Sequence, residues 1–275
     1  MNYVEYTSLN ALLCFPFMPN LKLLGIQIVC EHSKKERDEA VLSLLTVDID
    51  EAGYKLQEAV ISHVAFKLER SSLTGMIGAN GAGKSTTIKA ILQELPFVEG
   101  HVVREEGTSY SYIPERPIYY DELTLWEHFE FVAAVEQLGE GHLLYAKSLL
   151  KKFRLADRIH EFPATFSKGM QQKGMIALAL FTKPDLLIID EPFMGLDPGS
   201  TKMLLDMLDE EKEKGTGILM CTHILDTAQR VCDSFIVIEQ GTVKACGRLN
   251  EVLAKCGAED GSLYSCIDTV DDGDE

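Results

Sequence analysis

Short apolar runs alternate with segments of helical periodicity between about residues 44 and 250. Four of the five runs contain no charged residue, as is typical of central parallel strands that are buried on both faces. Alternation of such strands with helices predicts an α/β layered fold with a mainly parallel sheet and an antiparallel region near its N-terminus. The predicted strands are residues 42–49, 73–77, 186–189, 217–221 and 234–238.

The interval between Pro114 and Lys183 has a different pattern. Strand-like runs stop there, and apolar residues recur with helical periodicity. Thr124 and Glu127 have the spacing of a capping box, in which each side chain bonds the other residue's backbone N–H at a helix start. We therefore expect a helical subdomain, over about residues 116–180, inserted into a domain that spans residues 44–250.

The two ends of the chain do not share the central pattern. For residues 1–43 two interpretations stay open: a poorly ordered extension, or a start site assigned too early, with the natural protein beginning near Val41. The last twenty residues contain seven acidic side chains and no basic one. Such a composition cannot bury enough apolar surface to fold by itself, so it predicts a mobile acidic tail over residues 251–275.

Composition narrows the partners that we expect. Acidic residues outnumber basic ones by 43 to 26, and a nucleic-acid binder usually has the opposite balance, so we expect no nucleic-acid partner. Seven cysteines without C-x-x-C spacing favour reduced thiols in a cytoplasmic protein. The apolar stretch of residues 11–30 is interrupted by two prolines, an asparagine and a lysine, which argues against a membrane span. A membrane function would therefore need another chain.

Residues 78–86 fit the phosphate-loop pattern G-x-x-x-x-G-K-[ST], between a predicted strand and a predicted helix. Glycines allow the backbone N–H groups to turn inward around phosphates, and the helix start adds its positive dipole end. Lys84 can contact the β- and γ-phosphates, and the Ser85 hydroxyl can bind Mg²⁺. The predicted nucleotide-binding residues of this loop are Gly78, Asn80, Gly81, Ala82, Gly83, Lys84, Ser85 and Thr86.

A second acidic motif follows the apolar run at residues 186–189, where Asp190 and Glu191 end a predicted strand. Ligands of open parallel sheets bind at the carboxyl ends of the strands. Asp190 can hold Mg²⁺, which prefers oxygen ligands, and Glu191 can polarise an attacking water. The motif is common by itself, and its meaning comes from its combination with the phosphate loop.

Three further segments complete an ordered set of motifs. Residues 166–173 precede the acidic strand, residues 195–197 follow it, and His223 comes directly after the next strand. In this order the motifs resemble the ABC ATPase family, over about residues 44–250. The resemblance identifies residues 78–86 as Walker A, 167–170 as the signature sequence, 190–191 as the end of Walker B, and 195–197 as the D-loop.

The resemblance implies roles for individual residues. Glu191, His223 and Lys84 would be catalytic, with His223 as the switch histidine at the γ-phosphate. Tyr54 would stack on the adenine of ATP. Ser167 and Gly169 would bind the γ-phosphate held by a second ABC ATPase subunit, which is expected to be a second copy of this chain.

Two positions depart from the family pattern. Glu115 stands where the family has the Q-loop glutamine, and its carboxylate can still approach Mg²⁺. The signature sequence is Ser-Lys-Gly-Met, where Ser-Gly-Gly-Gln is commoner. Both departures are similar to the Ecs-type branch of bacterial exporter-like ABC ATPases.

The resemblance implies an ATP-binding and ATP-hydrolysing subunit that powers an exporter, with ATP and Mg²⁺ as cofactors. Such a subunit would be cytoplasmic, at the inner face of the cell membrane, where an integral membrane subunit holds it. The alternative is a single-cassette ABC ATPase of a soluble assembly, such as iron–sulfur cluster assembly. A nucleotide sensor that does not hydrolyse ATP is disfavoured because Glu191 and His223 are both present.

Overall fold

The computed structural model describes residues 43–267. Its strands are β1 (Leu45–Gly53), β2 (Ile61–Leu68), β3 (Leu73–Ile77), β4 (Phe97–Arg104), β5 (Tyr110–Ile113), β6 (Leu186–Asp190), β7 (Gly217–Cys221), β8 (Ser234–Glu239) and β9 (Thr242–Gly247). Its helices are α1 (Lys84–Ile91), α2 (Leu125–Val135), α3 (Glu140–Lys152), α4 (Lys168–Phe181), α5 (Pro198–Glu213), α6 (Leu225–Val231) and α7 (Leu249–Cys256). Short 3-10 helices cover Ala156–Arg158, Pro163–Thr165 and Leu263–Cys266.

The strands form two sheets. The larger has the order β5-β6-β7-β3-β8-β9 and is parallel except for the final β8–β9 pair. The smaller is antiparallel, with the order β2-β1-β4. The predicted α/β fold, mainly parallel with an antiparallel region, is confirmed.

Strand boundaries follow the sequence closely in the large sheet. The predicted strands at 73–77 and 217–221 match β3 and β7, and every residue of both strands is buried. In the small sheet, β1 begins at Leu45 rather than at residue 42, because its pairing with β2 and β4 starts there. Residues 1–42 lie outside the described residues, so both interpretations of the N-terminal segment stay open.

Helices α2, α3 and α4 fill the interval between β5 and β6. The capping box of α2 is present: the Thr124 hydroxyl accepts from the Glu127 N–H, and the Glu127 carboxylate accepts from the Thr124 N–H at 2.7 Å. Aromatic residues join the helices to one another, as where Phe129 meets Phe181 edge-on at 5.2 Å. This helical layer covers one face of the large sheet, and the small sheet with α1 covers the other.

The segment predicted as a mobile tail from residue 251 has a different structure as far as residue 267. Helix α7 contributes the buried Val252, and the 3-10 helix after it contributes Leu263 and Cys266, both fully buried against the large sheet and α6. A few well-spaced apolar residues anchor this segment although its average composition is acidic. Residues 268–275 lie outside the described residues.

Between residues 43 and 267, none of the helices combines the length and the apolar character that crossing a bilayer requires.

Candidate functional site

The phosphate loop connects β3 to α1 at the carboxyl edge of the large sheet. Gly83, the N-cap of α1, has φ 111° and ψ 3°, a left-handed conformation that favours glycine. A Cβ atom at this position would also lie 2.8 Å from the Ile61 side chain. The loop can therefore follow this path only with glycine at residue 83.

Lys84 is the first residue of α1, and its side chain folds back over the loop. Its ammonium group donates to the carbonyl oxygens of Gly78 at 2.8 Å and Ala79 at 2.9 Å. Only 7% of Lys84 is exposed, so its charge is concentrated at the start of the helix, where anions bind favourably.

Asp190 ends β6 beside this loop, and 5% of it is exposed. Burial raises the pKa of its carboxyl group, and a hydrogen bond from the Ser85 hydroxyl offsets part of that effect. Nearby Glu191 and Glu115 raise the pKa further. A buried carboxylate among other acids is poorly stabilised within the chain, and a cation placed beside it would stabilise it.

Glu191 and His223 meet at the ends of two neighbouring strands, because Asp190 of β6 pairs with Cys221 of β7. Glu191 Oε2 lies 2.8 Å from His223 Nδ1 and 3.4 Å from the His223 backbone nitrogen. The Glu191 N–H donates to the Cys221 carbonyl at 2.9 Å, which fixes the backbone where the side chain departs. Glu191 has φ 48°, which is uncommon for a residue with a side chain and recurs at functional sites.

These residues surround a cleft of about 340 Å³, within the range of small-molecule sites. The cleft is lined by the Lys84 ammonium group, three carboxylates and residues of the phosphate loop. This arrangement suits a phosphorylated ligand with a metal ion. The lining residues are Asn80, Gly81, Gly83, Lys84, Ser85, Thr86, Glu115, Asp190, Glu191, Met194 and His223.

The donor set fits Mg²⁺. Ser85, Asp190 and Glu115 offer one hydroxyl and two carboxylates on the cleft wall, and all of these are oxygen ligands. Within residues 43–267 no cluster of three or more His, Cys, Asp or Glu side chains could hold a metal by itself. Mg²⁺ is usually bound through one or two carboxylates together with water and substrate phosphates.

Five predicted nucleotide-binding residues do not line the cleft: Tyr54, Gly78, Ala82, Ser167 and Gly169. Gly78 and Ala82 belong to the loop itself, and the Gly78 carbonyl holds Lys84. Tyr54 is 48% exposed beside the loop, with its hydroxyl 3.3 Å from the Thr86 hydroxyl.

Ser167 and Gly169 form the start of α4, away from the cleft of the same chain. The Ser167 hydroxyl accepts from the Met170 N–H as the N-cap of the helix. A Cβ atom on Gly169 would lie 2.7 Å from the Gly195 carbonyl oxygen, so the signature segment and the D-loop are in close contact. Both segments are largely exposed, in a position where a second protein could contact them.

Three residues near the cleft were not predicted from the sequence. Met194 lines it, and the fully buried Cys221 thiol faces Asp190. The Lys89 ammonium lies 5.1 Å from the centre of the Tyr54 ring, a cation–π contact that leaves only one ring face for another partner. No signal in the sequence indicated the contact between Lys89 and Tyr54, because it depends on how the chain after β1 packs against α1.

Comparison with known proteins identifies the family. A family model described as ABC transporter matches residues 61–194. The uncharacterized ABC transporter ATP-binding protein YthP of Bacillus subtilis (strain 168) is 48% identical over 233 residues, which cover 84% of this chain and 98% of YthP. The ABC-type transporter ATP-binding protein EcsA of the same organism is 43% identical over 233 residues, covering 81% of this chain and 94% of EcsA.

Solved structures agree with these relatives. The structure of an ATP-binding subunit of an ABC transporter is 42% identical, with a TM-score of 0.76, and the match covers 82% of this chain and 98% of that one. The resemblance to the Ecs-type branch agrees with the likeness to EcsA. With the phosphate loop, the acidic strand end and the His223 contact in one cleft, the chain belongs to the ABC ATPase family, as the ATP-binding and ATP-hydrolysing subunit of an ABC transporter.

Proposed function

We propose that this ABC ATPase powers an exporter through a separate integral membrane subunit, and that the cleft between the phosphate loop and β6 is where it hydrolyses ATP. The observation that carries the assignment of the hydrolysis site is the 2.8 Å contact between Glu191 and His223 at the rim of a cleft that also contains Lys84 and Asp190. Binding groups and groups able to orient a water therefore line one cavity.

The binding roles follow from the donors at the cleft. The N–H groups of the phosphate loop and the Lys84 ammonium bind the phosphates of ATP. Ser85, Asp190 and Glu115 would hold Mg²⁺, which neutralises charge on the phosphate oxygens when it is bound. The exposed face of the Tyr54 ring stacks on adenine.

Hydrolysis depends mainly on positioning and on stabilising charge. The Glu191 carboxylate orients and polarises the attacking water. Its contact with His223 keeps the imidazole at the same side of the cleft, where it contacts the γ-phosphate. Lys84 stabilises the negative charge on the phosphoryl oxygens during transfer.

A second ABC ATPase subunit, which we take to be a second copy of this chain, completes the site. Ser167 and Gly169 lie at an exposed helix start that does not line the cleft of their own chain. In a two-fold symmetric dimer, each copy's α4 start would cover the γ-phosphate bound by the other copy. Two such sites would form and open together.

The membrane subunit would contact the helical layer near Glu115 and α2. Glu115 lines the cleft, and the segment after it joins α2, so this segment connects the nucleotide to the helical layer. The protein would then be cytoplasmic and held at the inner face of the cell membrane by this partner. Export rather than import rests on the resemblance to the Ecs-type branch. The relatives described above are transporter subunits, which does not favour the soluble-assembly alternative.

The substitution Glu191→Gln tests the site directly. Removing the carboxylate while keeping its shape should lower the rate of ATP hydrolysis by about 100-fold or more, whereas ATP binding is kept. Light scattering with Mg-ATP should detect a persistent dimer of the variant. Glu213→Gln, an exposed residue at the end of α5, is the matched control and should hydrolyse ATP normally. Undiminished hydrolysis by Glu191→Gln would remove Glu191 from the mechanism.

The same variant tests the membrane partner. Tagged Glu191→Gln protein would be recovered with Mg-ATP from detergent-solubilised cells, and co-purifying proteins identified by mass spectrometry. A polytopic membrane protein in stoichiometric amount is the expected result. Recovery of soluble partners alone, from a preparation shown to contain solubilised membrane proteins, would contradict the transporter proposal.

A further inference from the structure

The chain reverses direction after α7 and runs back across α6. Helix α7 ends at Gly257, which has φ 69° and ψ 26°, and the Ala258 N–H donates to the Leu253 carbonyl at 2.9 Å. This combination is a common helix stop in which glycine turns the chain. We refer to the segment that follows, residues 257–267, as the C-terminal clasp.

The side-chain amide of Gln229 in α6 binds the clasp with both of its polar groups. Its Nε2 donates to the Gly261 carbonyl at 3.0 Å, and its Oε1 accepts from the Leu263 N–H at 3.2 Å. Because Gln229 both donates to the clasp backbone and accepts from it, the two hydrogen bonds fix the direction of the clasp and which of its residues face Gln229. A longer contact of 3.5 Å joins the Tyr264 hydroxyl to Asp226 in the first turn of α6.

Apolar contacts support the same arrangement. Leu263 and Cys266 of the clasp are fully buried in one cluster with Leu225 and Ala228 of α6. The cluster also contains Ile77, the residue before the phosphate loop. The clasp therefore packs against α6, within the same apolar cluster as the strand that leads into the nucleotide cleft.

Helix α6 needs such support. It has seven residues, and its N-cap residue, Ile224, makes no side-chain capping hydrogen bond. Isolated helices of this length are unstable in water, so tertiary contacts determine where a short helix lies. His223 directly precedes Ile224, so the orientation of α6 also affects the position and direction of the His223 side chain.

We propose that the C-terminal clasp positions His223 for ATP hydrolysis, with Gln229 as the positioning residue that joins the clasp to α6. The clasp holds α6 against the sheet, and α6 in turn holds His223 within hydrogen-bond distance of Glu191. This inference rests on the proposed role of His223 at the γ-phosphate. Gln229 itself touches neither nucleotide nor reacting atoms.

The first test is Gln229→Ala in the purified full-length chain. We expect kcat for ATP hydrolysis to fall by about tenfold, since small displacements of catalytic groups have effects of this size or larger. The KM for ATP should change less than about twofold, because the phosphate loop is untouched. Arg230→Ala is the control: it changes the adjacent, exposed residue of the same short helix and should keep the normal kcat. An unchanged kcat in Gln229→Ala would overturn the proposal.

A double-mutant cycle separates positioning from general destabilisation. If Gln229 acts through His223, then adding Gln229→Ala to His223→Ala should lower kcat no further. Independent, multiplying losses would overturn the proposal. If His223→Ala alone hydrolyses ATP normally, the proposed role of His223 fails, and the inference about the clasp fails with it. A large effect of His223→Ala with none from Gln229→Ala would remove the clasp inference alone.

A milder variant covers the case in which Gln229→Ala does not fold. Gln229→Glu keeps the acceptor for the Leu263 N–H and loses the donor to the Gly261 carbonyl. Its kcat should lie between those of the wild type and Gln229→Ala, at temperatures below the thermal unfolding transition of each protein. A normal kcat in Gln229→Glu together with an unfolded Gln229→Ala would count against the positioning role.

Discussion

The two edges of the large sheet carry the same kinds of charged residue but arrange them differently. At the amino ends of the strands, Asp185 lies 2.9 Å from Arg70, and Asp233 lies 3.3 Å from Lys212. Both of these aspartates also accept backbone N–H groups. Charge at this edge is satisfied within the chain.

At the carboxyl ends, the acids of the cleft meet His223 and the Ser85 hydroxyl instead of lysine or arginine. Across residues 43–267, neither Lys nor Arg lies within ion-pair distance of Asp190, Glu191 or Glu115. Lys84 is held by backbone carbonyls rather than by a carboxylate. Charges that stabilise the fold are paired, whereas the charges proposed to bind ATP and Mg²⁺ are left available for them.

The pKa values of two aspartates show the same difference. Burial alone would raise the pKa of Asp185, but hydrogen bonds from Arg70 and Ser109 outweigh it, and the pKa lies below its ordinary value. Burial also raises the pKa of Asp190, and there the Ser85 hydroxyl is too weak a partner to reverse the effect. Folding therefore favours the ionised form of Asp185 and disfavours that of Asp190.

The largest expected contrast is between two lysines. Lys84→Ala should weaken ATP binding by about 100-fold, because a charged hydrogen bond to phosphate contributes a few kcal/mol. Lys214→Ala removes a lysine from the opposite edge, where it pairs with Glu211 at 2.7 Å, and should leave ATP affinity unchanged. Equilibrium binding of a fluorescent ATP analogue measures both. Equal effects of the two substitutions would contradict the division between the edges.

Asp190→Asn should stabilise the nucleotide-free protein by about 1 kcal/mol at neutral pH, as is common when a destabilised functional group is removed. The folded pKa is raised, so the ionised carboxylate destabilises the fold at every pH above that pKa. The gain should disappear as the pH falls below the ordinary value of 3.8. Urea unfolding at a series of pH values measures it. A loss of stability at neutral pH would show that the Asp190 carboxylate is better satisfied than its surroundings indicate.

Asp185→Asn should have the smallest effect and the opposite sign. The folded pKa is lowered, so the ionised carboxylate contributes stability that is complete above the ordinary value of 3.8 and is lost as the pH falls through the folded pKa. Because the Arg70 pair is partly exposed, the loss at neutral pH should be below about 1 kcal/mol. The same unfolding experiment should show the two proteins converging in acid. A variant more stable than the wild type at neutral pH would refute the proposed contribution.

The sequence predicted the elements with strong local signals. The buried runs at 73–77 and 217–221 became strands without error, because five successive apolar or small residues have few other ways to be buried. The capping residues Thr124 and Glu127 were recognisable because capping is a contact within one helical turn. The motif order also brought Lys84, Asp190, Glu191 and His223 to one edge, since parallel strands share their carboxyl end.

Long-range contacts were not predictable from one sequence. The Glu191–His223 distance depends on the register of β6 with β7, and nothing local specifies that register. The C-terminal segment was expected to be mobile because its composition is acidic, whereas two buried residues, Leu263 and Cys266, decide its position. The roles of Ser167, Gly169 and Tyr54 need a partner or a ligand, and they stay predictions.

The pairing of Asp190 with Cys221 limits how the cleft can change shape. Glu191 and His223 extend from adjacent strands of one hydrogen-bonded sheet, so a rigid rotation of the helical layer would leave their separation unchanged. Glu115 follows β5, whose Ile113 pairs with Ile189 of β6, so it extends from the same sheet edge, and the chain after it runs toward α2. The residues proposed for hydrolysis would thus lie in one stationary frame, and a movement of the helical layer would reach that frame through the segment after Glu115.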